Sequence, residues 1–307
     1  MRVVMALGGN ALQRRGEPAE PGVLARNLSR AADAVAAIAR RHEVVVTHGN
    51  GPQVGMLALA ADVQGRNTAL DLLVAESEGQ IGYLIERELA ALLPGREIAT
   101  LLTQVEVDPA DPAFAAPTKP IGPVYGEAEA RRLAAERSWT IMRDGDHFRR
   151  AVASPEPRRL RELNAVRVLL GGGLVVICSG GGGIPVVAGA DGRLRGIEAV
   201  IDKDRTAALL AEGLEADALL LLTDVAAVMT HWGDPAARAI AAASPAALGA
   251  FRFAPGSMGP KVEAACRFVS RTGGFAGIGA LGDAPAILKG AAGTIIRQMQ
   301  DPIRYHG

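Results

Sequence analysis

The chain opens with a change of hydrophobic period. Val3 to Leu7 is a short unbroken apolar run, Val23 to Arg41 carries Ala and Leu at helical spacing, and Glu43 to Thr47 is β-branched. Such runs predict a strand, a helix and a second strand. Further strands are predicted at Ile98 to Gln104, Leu174 to Cys178, Ala218 to Leu222 and Ala276 to Gly279, with helices at Leu70 to Leu93, Arg205 to Gly213 and Pro260 to Arg271. Apolar strands alternating with helices define an α/β protein with a mainly parallel sheet covered by helices on both faces. The pattern breaks between Asp108 and Pro157, where Pro109, Pro112, Pro117, Pro120 and Pro123 are followed by a charged stretch and by Ser154-Pro155-Glu156-Pro157. This segment reads as an irregular inserted excursion, a small lid.

Composition narrows the function classes. The 307 residues carry 33 basic and 33 acidic side chains, a formal charge of zero, which argues against a nucleic-acid or membrane-surface binder. With 49% hydrophobic residues the chain can bury a large core, and no run approaches the roughly 18 residues of a membrane span. Val3 to Leu7 is too short for a secretory signal core, so a cytoplasmic protein is expected. Cys178 and Cys266 lack CxxC spacing and the five histidines form no HExxH, so neither a disulfide framework nor a zinc site is expected.

Four glycine-containing turns follow predicted strands or open predicted helices: Gly8-Gly9-Asn10, Gly49-Asn50-Gly51-Pro52, Gly180 to Gly183, and Gly256-Ser257-Met258-Gly259. In a parallel sheet such loops converge on a ligand crevice, where glycine lets backbone N–H groups approach an anion. One such turn is often only a steric necessity; several together point to an anion site. The standard nucleotide fingerprints are absent. No lysine stands in a GxxxxGK[ST] frame, and the GxGxxG frames opening at Gly180 and Gly181 end on Pro185 and Val186.

The lysine count is more telling. Only four of the 33 basic residues are lysine: Lys119, Lys203, Lys261 and Lys289. A chain that writes Arg wherever any cation serves keeps Lys where a compact ammonium on a flexible stem is needed. Lys203, between Asp202 and Asp204, starts one predicted helix and Lys261 starts another. A cation beside a helix N-terminus suits transferring phosphates, although either Asp could simply be an N-cap. Lys289 is assigned to the surface. His48, at a strand end, reads as a structural histidine.

These segments together resemble the carbamate kinases of the amino-acid kinase superfamily. The resemblance rests on Ala6-Leu7-Gly8-Gly9-Asn10-Ala11, on His48-Gly49-Asn50-Gly51-Pro52-Gln53-Val54-Gly55, on Pro117-Thr118-Lys119-Pro120-Ile121-Gly122-Pro123, on Gly180 to Val186, on Glu198 to Asp204, and on Phe253 to Met258 with Lys261. It implies the amino-acid kinase fold with a small protruding subdomain, and a homodimeric enzyme that interconverts ATP plus carbamate with ADP plus carbamoyl phosphate using Mg2+. The metal would be held mainly by nucleotide phosphates, with no protein metal site. Residues 1–215, including the 108–157 lid, would bind carbamate or carbamoyl phosphate, and residues 216–307 the nucleotide. Lys203 and Lys261 would contact the transferring phosphates, Asp204 would hold the lysines, and Lys119 would reach in from the lid, replacing the lysine that other superfamily members carry where this chain has Ala6. Gly8, Gly9, Asn10, Gly49, Asn50, Gly51, Gly181 and Gly182 would line the substrate site, and Asp224 and Met258 would join Lys203 and Lys261 at the nucleotide. Carbamate is already an anionic nucleophile, so no general base is required. Two positions depart from the family pattern: His147-Phe148 stands where Gly-Trp is usual, and Glu78 where Gln is expected. The rivals are a kinase of a larger carboxylate or of a nucleotide, and a silent nucleotide-binding regulator on the same fold.

Overall fold

The computed structural model describes residues 1–9, 21–66, 68–254 and 256–307. Its central feature follows from the strand Arg2–Leu7, whose residues bury alternately on two sides: Val3, Met5 and Leu7 enter one hydrophobic cluster, Val4 and Ala6 the other. A strand with two buried faces needs helices on both. Pro21–Ala39 and Leu70–Leu92 cover the first face through Leu28, Ala31, Val35, Ile81, Ile85 and Leu89; Leu163–Gly171, Lys203–Gly213 and Met258–Thr272 cover the second through Val166, Leu210, Ala265 and Phe268.

Among the described residues ten strands join this sheet, in the order Met229–Thr230, Arg238–Ala243, Thr294–Ile296, Phe275–Ala280, Ala218–Thr223, Arg2–Leu7, Glu43–His48, Val175–Ile177 and Ile98–Thr100, with Ile303–Tyr305 added against Arg238–Ala243. The five pairs from Phe275–Ala280 to Ile98–Thr100, and Arg238–Ala243 with Thr294–Ile296, are parallel, whereas Thr294–Ile296 meets Phe275–Ala280 antiparallel. Chain order runs outward in opposite directions from Arg2–Leu7 and Ala218–Thr223, so the topological switch point, where open parallel sheets generally take their ligand, lies between these neighbours. Leu7 stands opposite both His48 and Leu222, so the loops after three strands leave the sheet at one level. No described helix is long and apolar enough to cross a membrane.

Two sequence expectations need correction. The strand expected over Ile98 to Gln104 is two strands in two sheets: Ile98–Thr100 edges the main sheet, and Gln104–Glu106 joins a smaller one with Ile184–Ala188, Leu194–Gly196 and Arg159–Leu160. The 108–157 excursion is not irregular. It holds a three-stranded antiparallel sheet, Lys119–Tyr125, His147–Val152 and Thr140–Asp144, with the helix Glu127–Arg137. Pro120 and Pro123 are accommodated because their strand is at the edge, where a missing N–H breaks no ladder.

Candidate active site

The helix Lys203–Gly213 begins at a side-chain cap. Asp202 Oδ1 accepts from the N–H groups of Asp204 at 3.0 Å and Arg205 at 3.2 Å, fixing the turn that presents Lys203 and Asp204. Asp204 then bridges two lysines. Its Oδ1 accepts from Lys203 Nζ at 2.5 Å and its Oδ2 from Lys261 Nζ at 2.8 Å, the latter ammonium arriving from the helix Met258–Thr272. Asp202 Oδ2 accepts from Lys119 Nζ at 2.9 Å, across from the lid. The geometry therefore gathers Lys119, Lys203 and Lys261 around two neighbouring carboxylates, while Lys289 is exposed at the end of the helix Ala284–Leu288.

Electrostatics hold this cluster in its charged form. Burial disfavours an Asp204 carboxylate, but Lys203 and Lys261 outweigh it and take the group well below the usual range. Burial opposes ionisation of Asp202 as well, and Lys119 again reverses the direction. Burial pulls both buried ammoniums down. Lys203 ends below its ordinary value, with Lys261 repelling it, whereas for Lys261 the attraction of Asp204 prevails and raises it. Asp224 is exposed beyond Ala218–Thr223, adds to that attraction, and accepts from Thr223 Oγ1 at 3.0 Å.

The glycine loops divide into two kinds. The N–H of Gly8 donates to Leu222 O at 2.8 Å and that of Gly49 to Leu7 O at 2.9 Å, so these amides continue the sheet. Glycine is needed there for close approach: a Cβ on Gly8 would lie 2.8 Å from Leu222 O, and one on Gly49 2.8 Å from Gly9 N. The loop of residues 179–183 is different. Ser179, Gly181, Gly182 and Gly183 all have positive φ, and a Cβ on Gly181 would sit 2.1 Å from Asn50 Nδ2. Side chains clamp this loop from all sides: Thr47 Oγ1 donates to Ser179 O, Ser179 N–H donates to Thr103 Oγ1, Gly180 N–H donates to Glu78 Oε1 at 2.8 Å, and Thr206 Oγ1 donates to Gly182 O. Asn50, buried beside it, donates to Ser77 Oγ at 2.8 Å. Gly51 opens the helix Gly51–Val63, Gly9 is half-buried, Met258 is half-buried at the start of its helix, and Asn10 lies outside the described residues.

Asp202 has a larger part than a sequence reading gave it: its capping role is legible in the sequence, its pairing with Lys119, 83 residues away, is not. Thr47, Ser77, Thr103 and Thr206 carried no signal, being ordinary hydroxyl residues in element interiors and turns. Glu78, a departure from the family pattern, faces the glycine loop. Its other oxygen accepts from Thr103 N–H at 3.2 Å, and burial pushes its carboxyl up to about 8. His48 is fully buried with Nδ1 3.2 Å from Gly49 O and no hydrogen-bond partner for Nε2, and burial brings it down to about 4. Cys178 is buried and Cys266 half-buried, both free thiols raised by burial.

A parallel sheet with glycine loops at its switch point and three clustered ammoniums has the features that phosphoryl transfer calls for, and the chain belongs to the amino acid kinase family, whose model matches residues 1–275. Its relatives narrow the class. The carbamate kinase of Rhizobium meliloti (strain 1021) is 53% identical over 100% of this chain and 96% of its own length. That of Escherichia coli (strain K12) is 49% identical over 96% of this chain and 98% of its own. Carbamate kinase from Giardia lamblia bound to AMP-PNP superposes with a TM-score of 0.88 at 36% identity, over 97% of this chain and 98% of that one.

Proposed function

We propose that the chain catalyses reversible phosphoryl transfer between ATP and carbamate, giving ADP and carbamoyl phosphate. The observation that carries the reading is the Lys203–Asp204–Lys261 bridge beside the Lys119–Asp202 pair, in a chain that matches carbamate kinases end to end. Phosphoryl transfer through a loose transition state needs alignment and charge neutralisation. Lys203 and Lys261 supply the neutralisation at the transferring phosphates, with Asp204 fixing their spacing, and Lys119 adds a third positive charge from the lid. The clamped loop containing Gly181 and Gly182, with Gly8, Gly9, Asn10, Gly49, Asn50 and Gly51, forms the carbamate side. Asp224 and Met258 stand on the nucleotide side. Residues 1–215 form the carbamate lobe and 216–307 the nucleotide lobe, and the enzyme works as a cytoplasmic homodimer.

Among the described residues no group of three or more His, Cys, Asp or Glu side chains could hold a metal ion, and both acids of the lysine cluster are engaged by lysines. Mg2+ carried in on nucleotide phosphates and water would supply charge neutralisation on the leaving phosphate. Carbamate brings its own anionic oxygen, so the reaction calls for no general base.

Production of ATP from carbamoyl phosphate and ADP in a coupled assay tests this reading. Acetylglutamate, aspartate and UMP are expected to be refused as phosphoryl acceptors, because the described residues Gly8-Gly9, Gly49-Asn50-Gly51 and Gly180 to Gly183 include no arginine to clamp a distal carboxylate. Phosphorylation of any of these at the rate of carbamate would transfer the assignment to a rival kinase.

A further inference from the structure

We propose that Asp202 is a positioning residue that carries Lys119 into the site, using one carboxylate oxygen to cap the catalytic helix and the other to hold the lid ammonium. The proposal rests on the phosphoryl-transfer reading above and adds a residue to it. Oδ1 of Asp202 is spent on the N–H groups of Asp204 and Arg205, and Oδ2 faces Lys119 Nζ at 2.9 Å. The two functions therefore use different atoms of one rigid group. Its place is also distinctive: Asp202 adjoins Lys203 in the chain, and Asp204, two residues on, bridges Lys203 to Lys261. Any shift of this helix start moves all three lysines together.

Why Lys119 needs such a partner follows from its setting. It begins the edge strand Lys119–Tyr125, with Val152 as its register partner on one side only. Pro120 fixes the backbone after it, so the reach toward the site must come from the flexible side chain, and an unpaired lysine stem would sample many rotamers. Its side chain is 23% exposed and that of Asp202 18%, so the pair is shielded enough to hold its geometry yet open to an incoming phosphoryl group. On substrate binding the ammonium exchanges a carboxylate oxygen for a phosphoryl or carbamate oxygen; no covalent bond changes.

A substitution that keeps the cap and removes the charge separates the two roles. Asparagine caps as well as aspartate, so Asp202→Asn, which loses the pair alone, is expected to melt above Asp202→Ala, which loses cap and pair together. Losing a charge-assisted hydrogen bond predicts about a 10- to 100-fold fall in kcat for Asp202→Asn, with the KM for nucleotide little changed because Lys203 and Lys261 remain. In a Lys119→Ala background the same change is expected to have less than about a twofold further effect, since coupled residues do not add. A readout independent of turnover uses the scarcity of lysine: each of the four is quantified by mass spectrometry after brief acetylation, with exposed Lys289 as the internal reference. Asp202→Asn is expected to raise Lys119 labelling severalfold relative to Lys289. Unchanged labelling would overturn the pairing. An activity loss of the same size with and without Lys119 would overturn the positioning role. An inactive wild-type enzyme with the labelling difference intact would instead strike the carbamate reading and leave the pairing standing.

Discussion

Lys203 and Lys261 share one carboxylate, and this sets how their loss is expected to read out. Removing either leaves Asp204 still paired, so the protein stays folded while one positive charge is missing at the transferring phosphate. Lys203→Ala and Lys261→Ala are each expected to lower kcat about 100- to 1000-fold, the usual effect of losing a preorganised charge contact, with thermal stability measured alongside. Lys289→Ala, on an exposed side chain, is expected to leave turnover unchanged. Lys119→Arg is expected to fail nearly as badly as Lys119→Ala in steady-state kinetics. A guanidinium is broader than an ammonium and calls for forked acceptors, whereas Asp202 Oδ1 is already engaged by the helix start and one oxygen remains. The three lysines were legible because the chain uses the residue so seldom. Their holders were not. Asp202 finds Lys119 only after the lid folds over, and a hydroxyl such as Thr206 looks in sequence like any other helix residue.

Between elements, the tightest junction is that of the helix Gly51–Val63 with the lid strand Lys119–Tyr125. A Cβ on Gly55 would lie 1.8 Å from Gly122 Cα, so helix and strand touch backbone to backbone. Gly122 itself sits at φ 72° beside a register shift in the strand, and Arg149 donates to its carbonyl oxygen at 2.6 Å. Gly55→Ala is therefore expected to push the lid outward and reduce kcat/KM as Lys119 is withdrawn, at little loss in global stability; amide exchange across 119–152 measures the displacement. A break in the strand–helix alternation was legible from the prolines, but the order of the segment was not. The helix Glu127–Arg137 is built on Glu127–Arg131, Glu129–Arg132 and Arg132–Glu136 pairs, with Ala130 and Leu133 its buried residues, so hydrophobic periodicity had almost nothing to detect. Arg149, in the strand whose His147-Phe148 start departs from the family pattern, shows that the lid keeps a defined anchor there.

For the whole molecule, two buried groups give stability a defined dependence on pH. Glu78, raised from 4.5 to about 8, keeps a proton in the folded state that the unfolded chain has released, so it lowers stability as pH rises through that interval. His48, lowered from 6.5 to about 4, stays neutral where the unfolded chain is protonated, so it lowers stability as pH falls through its interval. Between about pH 4.5 and 6.5 the two slopes oppose and nearly cancel; from 6.5 to 8 only the Glu78 decline remains. Thermal unfolding across pH 5 to 9 is expected to show that decline, and Glu78→Gln to flatten it. Whatever fixed offset the amide brings against Thr103 N–H, the difference between variant and wild type is expected to shift in the variant's favour above pH 6.5. At this scale the sequence was most readable. Apolar runs such as Ala218 to Leu222 read as buried strands because they are short and lie between helical stretches, and their alternation with helices implied a parallel sheet. Short strands such as Thr294–Ile296 escaped because three residues cannot display a period.

The central position of the first strand has a consequence for how the chain is made. Val3 faces Val44 on one side and Ala218 on the other, so this strand is synthesised long before its second neighbour and is completed late. At about 5–20 residues per second, the interval between those two partners is roughly 10 to 35 s. Throughout it, an apolar strand edge in the middle of the future sheet stays open to any other extended chain.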